Sequence, residues 1–283
     1  LVRLGYDIGG AGTKIGVLSD SYSTLANSDI TNGDLPGEGN PLGYTTPVDL
    51  VKEYPYGSAS DEGRAMLQII HDVAPEATLA FRTGFVTVND FAKGIRELEE
   101  AGCDIICDDI TYVTEPFFGD GIVSRAVDDV TTLGVSYFTS AGNFGTKSYE
   151  GIFNPTTLNG LVGHNYGGGD AGQSITVGPG TNGPTTYTIV MQWEDPVYSI
   201  GGGGTQNDLD IYLTSNQGIT RFGFNRNNLG GDPVEILTFT IRENTTTDIM
   251  VVRAAGTDNV KFKYIVFRGD NIVFNEHNNN GNG

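Results

Sequence analysis

The run D-E-G-R-A-M-L-Q-I-I-H-D-V-A-P, from Asp61 to Pro75, decides how the first half of the chain is read. Met66, Ile69, Ile70 and Val73 recur at helical spacing, and Ala74-Pro75 cannot continue a helix, so the pattern predicts a helix that opens on Asp61-Glu62. Acids at a helix start have two readings: they complement the helix dipole, or they take part in chemistry. The neighbouring segments bear on the choice.

On both sides of this helix, strands and helices alternate. Lys14 to Asp20 reads as a short buried strand ending in an acid, and open parallel sheets collect ligands at such carboxyl ends. Further strands are expected at Thr78 to Phe81, Asp104 to Ile110 and Val135 to Thr139. Between them come a helix capped by Asn89 or Asp90, with Phe91, Ile95 and Leu98 on one face and Gly102 at its end, and another over residues 121–133. Residues 21–57 are rich in Ser, Asn, Gly and Pro and read as loop. Such alternation indicates an α/β fold with a parallel sheet covered on both faces.

Past about residue 150 the helices stop. Alternating runs at 187–193, 209–214, 219–224, 234–241, 248–254 and 260–267, separated by turns such as Gly201 to Gly204, Ser215 to Gly218 and Gly230 to Pro233, predict an all-β sandwich. The expected domains are therefore residues 1–150 and 151–275, followed by an Asn-rich flexible tail or linker at 276–283.

Composition narrows the function. Of 16 basic and 35 acidic residues, 9 and 23 fall in residues 1–150, so the net charge of -19 sits mostly in the first domain and argues against a nucleic-acid partner. No apolar run approaches the roughly 20 residues that span a bilayer. No secretion signal opens the chain at Leu1, so one would have to lie upstream. Cys103 and Cys107, four residues apart on an extended run, would stand about 13 Å apart, too far for a disulfide. They read as small buried hydrophobes. His71, His164 and His277 do not combine with them at zinc spacing, and no structural zinc site is expected.

The order of strand ending in Asp20, helix opening on Glu62-Gly63, Asp72-Val73-Ala74-Pro75, strand 104–110, helix, strand and Ala141-Gly142-Asn143 resembles a subtilisin-like serine peptidase over roughly residues 5–147. The resemblance implies a subtilisin-like doubly wound parallel sheet, here incomplete. It implies catalytic roles for Asp20 and for Glu62, which stands where subtilases carry histidine, as in the related sedolisins. Asn143 becomes the oxyanion donor. A glutamate can act as base for a serine in acid, and Asp20 beside it would share its proton. Sedolisins carry an Asp four residues after the Glu and another at the oxyanion position, where this chain has Met66 and Asn143, so the constellation is a hybrid. The strand that flanks substrate in subtilases suggests Asp109, Ile110 and Thr111 as contacts for an extended peptide or protein substrate, with Asp109 preferred over Asp108 by strand parity.

No Gly-Thr-Ser nucleophile motif occurs, and Gly145-Thr146-Lys147-Ser148 lacks the helix that motif needs. The expected function is thus a secreted serine endopeptidase of subtilase type, inactive without a further segment. In that case the sandwich would be an insertion. The alternative is a non-catalytic extracellular binding or adhesion module on a decayed peptidase scaffold.

The second half resembles the pre-peptidase C-terminal-like β-sandwich through Trp193, Asp208 to Leu213 and Tyr264 to Phe267, which implies protein or polysaccharide contact. No cofactor is required for the peptidase reaction. Asp208 and Asp210 share a strand face, a calcium site or two ordinary acids. Trp193 could stack on a sugar or lie in the core. Asp7-Ile8-Gly9-Gly10 with Thr13-Lys14 resembles a sugar-kinase phosphate loop. Two inserted residues split it, and no second nucleotide motif accompanies it.

Overall fold

A computed structural model describes residues 5–6, 8–57, 59–215 and 218–277. Asp7 of the phosphate-loop reading, Asn216 and Gln217 of one expected turn, and tail residues 278–283 lie outside it. Contacts divide the chain into two compact units. The first is Leu1–Tyr112 with Gly121–Ser140, and the second is Val113–Asp120 with Ala141–Gly283. The first unit thus ends at Ser140, and residues 113–120 group with the second.

The first unit runs β1 (Lys14–Ser19), α1 (Ala26–Asn32), β2 (Asp49–Lys52), α2 (Glu62–Val73), β3 (Thr78–Thr83), α3 (Val88–Glu100), β4 (Ile105–Asp108), α4 (Ile122–Thr132) and β5 (Ser136–Thr139). Its five strands are parallel in the order β2-β3-β1-β4-β5. Side chains alternate between faces: Val17, Leu79 and Phe81 meet Ala26 of α1 and Leu67 of α2, while Leu18, Ala80 and Ile106 meet α3 and α4. Both faces are therefore covered.

This placement has a consequence for handedness. From β2 to β3 the chain moves across the sheet in the same direction as from β3 to β4 and from β4 to β5, yet α2 lies on the opposite face from α3 and α4. The β2–α2–β3 connection accordingly has the opposite hand. Because about 98% of parallel crossovers are right-handed, α2 is the left-handed one.

Several local expectations shift. Residues 21–57 contain α1 and β2, too short and polar to show a period. Helix α2 buries Gly63, Leu67 and His71, while Ile69 and Val73 are exposed. The reason is Gly63, where a Cβ would come within 2.3 Å of the Phe81 ring, so the helix turns its glycine to the sheet. Thr87 caps α3 by accepting the Asp90 amide at 3.1 Å, which frees the Asp90 carboxylate for other work. Strand β4 ends at Asp108, leaving Asp109, Ile110 and Thr111 beyond the ladder.

The second unit is antiparallel. It comprises β6 (Ser148–Ile152), β7 (Pro155–Leu158), β8 (Leu161–His164), β9 (Gln173–Val177), β10 (Thr185–Trp193), β11 (Asp208–Ser215), β12 (Thr220–Phe224), β13 (Val234–Ile241), β14 (Thr245–Ala255), β15 (Lys261–Arg268) and β16 (Ile272–Phe274). One sheet is ordered β13-β10-β15-β6; the other runs β12-β11-β14-β8-β7, with β9 on β14 and β16 on β9. Inward residues of both sheets, among them Ile189, Met191, Ile211, Leu237, Val251 and Phe262, form one core. Trp193 belongs to it, its indole N–H donating to Thr205 at 2.9 Å.

Among the described residues of the first unit one charge is wholly buried. Arg82 of β3 is 0% exposed and is held by Asp90 and Glu97 of α3 and by the Thr83 carbonyl. Removing it takes away the buried cation that Asp90 and Glu97 share, leaves each with one more exposed lysine partner, Lys52 and Lys93, and opens a cavity, so Arg82→Ala is expected to lose about 3 kcal/mol in urea unfolding. Arg82→Lys should recover only part of that, since an ammonium cannot reproduce the planar fork.

Candidate active site

The carboxyl ends of β1 and β4 and the start of α2 bring together Ser19, Asp20, Glu62, Asp108 and Asp109. Glu62 and Gly63 are the first residues of α2, and their amides need acceptors from outside the helix. Asp61, at φ 58°, does not cap the helix with its own side chain. Asp20 does so from β1: Oδ1 accepts the amides of Glu62 at 2.8 Å, Gly63 at 3.3 Å and Ser21 at 2.5 Å. Its Oδ2 accepts the amide and the hydroxyl of Ser60, both at 2.7 Å. Burial opposes the charge, but the Ser60 hydroxyl and the amides of Ser60, Gly63 and Ser21 outweigh it and hold the carboxyl below its ordinary range.

Asp61 is turned instead to Ser21 and to Arg64, with Nε at 2.9 Å, while Arg64 also reaches Asp29. These partners are spread over three stretches, 20–21, 29 and 60–64, and no spacing in the sequence announces them.

The geometry corrects one expectation. Asp20 meets Glu62 through the main-chain amide and is held ionised, so it is not a proton-sharing partner. The carboxyl that keeps its proton is Asp109, pushed up to about 6 by burial, against the Ser19 hydroxyl, with the charges of Glu62 and Asp108 adding to the rise. Ser19 Oγ donates to Asp109 Oδ2 at 3.0 Å, and Oδ1 is buried without a partner among the described residues. Glu62 itself is exposed. Asp108 turns to the other side of the strand, where burial raises its carboxyl against the hydroxyls of Tyr137 and Thr139.

Of the expected substrate contacts, Asp109 and Ile110 are half-buried and Thr111 is exposed. Asn143 is exposed in the segment after β5 that groups with the second unit. Ser148 is buried on β6 and Ser19 is 0% exposed, which suits neither for attack on a substrate. The site therefore gathers carboxyls shifted in opposite directions, and its exposed serine, Ser60, has its hydroxyl tied to Asp20 Oδ2 at 2.7 Å.

In the second unit Asp208 and Asp210 lie buried on β11: Asp208 accepts the Asn228 amide at 3.2 Å, and Asp210 accepts the Tyr212 hydroxyl at 2.9 Å. Burial raises Asp210 to about 6. Glu235, overlooked in the sequence, is 3% exposed and pushed up to about 8 by burial, with Arg226 opposing and Asp210 and Asp208 adding to the rise. It shares the inward parity of Leu237 and Phe239 on β13, which was the available signal. Cys103 and Cys107 are free thiols, each raised to about 11 by burial.

No protein-family model matches the chain, and no characterised protein matches it in sequence. Among solved structures it is similar to the CspB protease of Clostridium perfringens, at TM-score 0.51 and 13% identity. The match covers 97% of this chain and 66% of that one, so the chain spans just under two thirds of the neighbour's length. At this identity the likeness is one of fold, and the mixed α/β architecture is what it supports.

Asp20 and Asp109 should respond to pH in opposite senses. Asp20 is depressed on folding, so its stabilisation is complete above the ordinary carboxylate range and is lost as pH falls through its folded value. Asp20→Ala should cost about 1–2 kcal/mol at neutral pH, and the gap to wild type should close on acidification. Asp109 is raised, so its contribution is present in acid and disappears as pH climbs to about 6. Asp109→Asn should therefore gain on wild type in urea melts over that interval.

Proposed function

We propose that the chain is built on a subtilisin-like serine-peptidase scaffold, a doubly wound parallel sheet joined to a β-sandwich, in which acids do the proton handling that subtilases give to histidine. The observation that carries this reading is the acid centre at the ends of β1 and β4, where Asp109 accepts the Ser19 hydroxyl at 3.0 Å and is pushed up to about 6 by burial, with the charge of Glu62 adding to the rise. The likeness of fold to a protease supports it.

A serine attacking a peptide carbonyl must give up its proton, and an ionised carboxylate within reach can accept it. Glu62 is the base, Asp109 its partner, and Asp20 the anionic brace that fixes the helix carrying Glu62. Asn143 stands as the expected oxyanion donor. An extended peptide would run beside Asp109, Ile110 and Thr111, and the chemistry calls for no cofactor. The setting proposed is extracellular.

The nucleophile is not among these 283 residues, so the chain alone should hydrolyse nothing. A second reading, a binding module, is favoured by a cavity of about 450 Å³ in the second unit, lined by Pro116, Val197, Arg226, Val234, Glu235 and Ile236.

Two measurements test the proposal. A fluorophosphonate probe should leave the chain unlabelled and casein should stay intact from acid to neutral pH; a labelled serine would remove the claim that the nucleophile is missing. The Asp109 carboxyl, followed by NMR, should titrate near 6 and move down in Glu62→Gln. An unchanged titration would dissolve the acid pair and leave the binding module as the better account.

A further inference from the structure

We propose that the second unit carries a divalent transition-metal site formed by Asp170, Glu276 and His277, separate from the acid centre and from Asp208 and Asp210. A ligand atom from each of the three lies within 4.8 Å of the other two. His277 Nε2 and Asp170 Oδ2 are 3.4 Å apart, long for a hydrogen bond. That separation is close to the edge of a tetrahedron with bonds of about 2.0–2.1 Å, the spacing that two zinc ligands adopt.

Each ligand is held by a second contact. Asp170 Oδ1 accepts the Gly172 amide at 3.0 Å, which leaves Oδ2 for the metal. Glu276 Oε1 accepts the Ser174 amide at 3.2 Å. The His277 ring stacks on Tyr166 at 5.4 Å and 20°. Such outer contacts orient ligands and sharpen metal affinity.

Independent support comes from Gln173. Its side chain is 0% exposed, its Nε2 donates to the Glu276 carbonyl, and its Oε1 is buried without a partner among the described residues. An orphaned buried oxygen is costly, and this one lies against the segment bearing two of the three ligands. Asp248 adds a third carboxylate nearby: it sits under Gly172.

One imidazole with two carboxylates suits zinc, whereas calcium takes oxygen alone. Bound metal would clamp the segment after β16 to the loop before β9.

The test is calorimetric titration of zinc chloride into the chelator-stripped, untagged full chain. His71 and His164 are each only 2% exposed, so His277 is the accessible histidine among the described residues. Uptake of one equivalent is expected, with a thermal midpoint raised by a few degrees. Affinity should fall at least tenfold in His277→Ala and in Glu276→Gln and stay unchanged in Asp208→Asn. Calcium chloride should not substitute. Absence of saturable one-equivalent binding, or wild-type affinity in both His277→Ala and Glu276→Gln, would overturn the site.

Discussion

The carboxylate of Asp20 receives five donors from four residues, and the first unit is arranged around that convergence. A left-handed crossover is rarely stable, because a right-twisted strand feeds a helix back to its sheet more easily in the other sense. Here the helix is seized at its first turn by the strand it must lie against. Gly63 removes the side chain that would keep them apart, and the Asp20 carbonyl accepts the Thr83 hydroxyl at 2.7 Å, joining the ends of β1 and β3. The anion is best placed where the helix amides point, so electrostatics and chain path reinforce each other.

The same bond separates the roles of neighbouring acids. Asp20 is surrounded by donors and stays charged, while Asp109, with one oxygen buried and unpartnered, is pressed toward the neutral form. Two carboxyls at the ends of adjacent strands are thus shifted in opposite directions by the donors one has and the other lacks. Glu235 repeats the second arrangement in a β setting, where an acid in an inward register has few donors to meet.

Much of this was legible in the chain because period and punctuation are local signals. The alternation from Lys14 to Thr139 and the long run Val234 to Ile241 are set by neighbours in sequence, and their bounds came out close. The seven-residue α1 and four-residue β2 are both short and polar, and display no period. The face of α2 was misread because Ile69 and Val73 are apolar yet exposed, and the deciding contact, Gly63 on Phe81, is tertiary. Asp20 and Glu62 could be named from their order along the chain. That the first binds the amide of the second, and that Asp109 holds the raised carboxyl, depends on hydrogen bonds spanning 40 to 90 residues, which no local pattern encodes.

The short passage Val113–Asp120 gives the chain an interleaved connectivity. Gln192 of β10 binds it through the Val113 and Glu115 carbonyls and the Phe117 amide. Helix α4 and strand β5 are thereby a loop of the first unit whose two ends are both rooted in the second. Scission at Ser140 would keep the first unit on one fragment but part the second from its strip Val113–Asp120. During synthesis the strip emerges before β10 exists to receive it, so α4 and β5 are made while the strip that leads into them still lacks its partner.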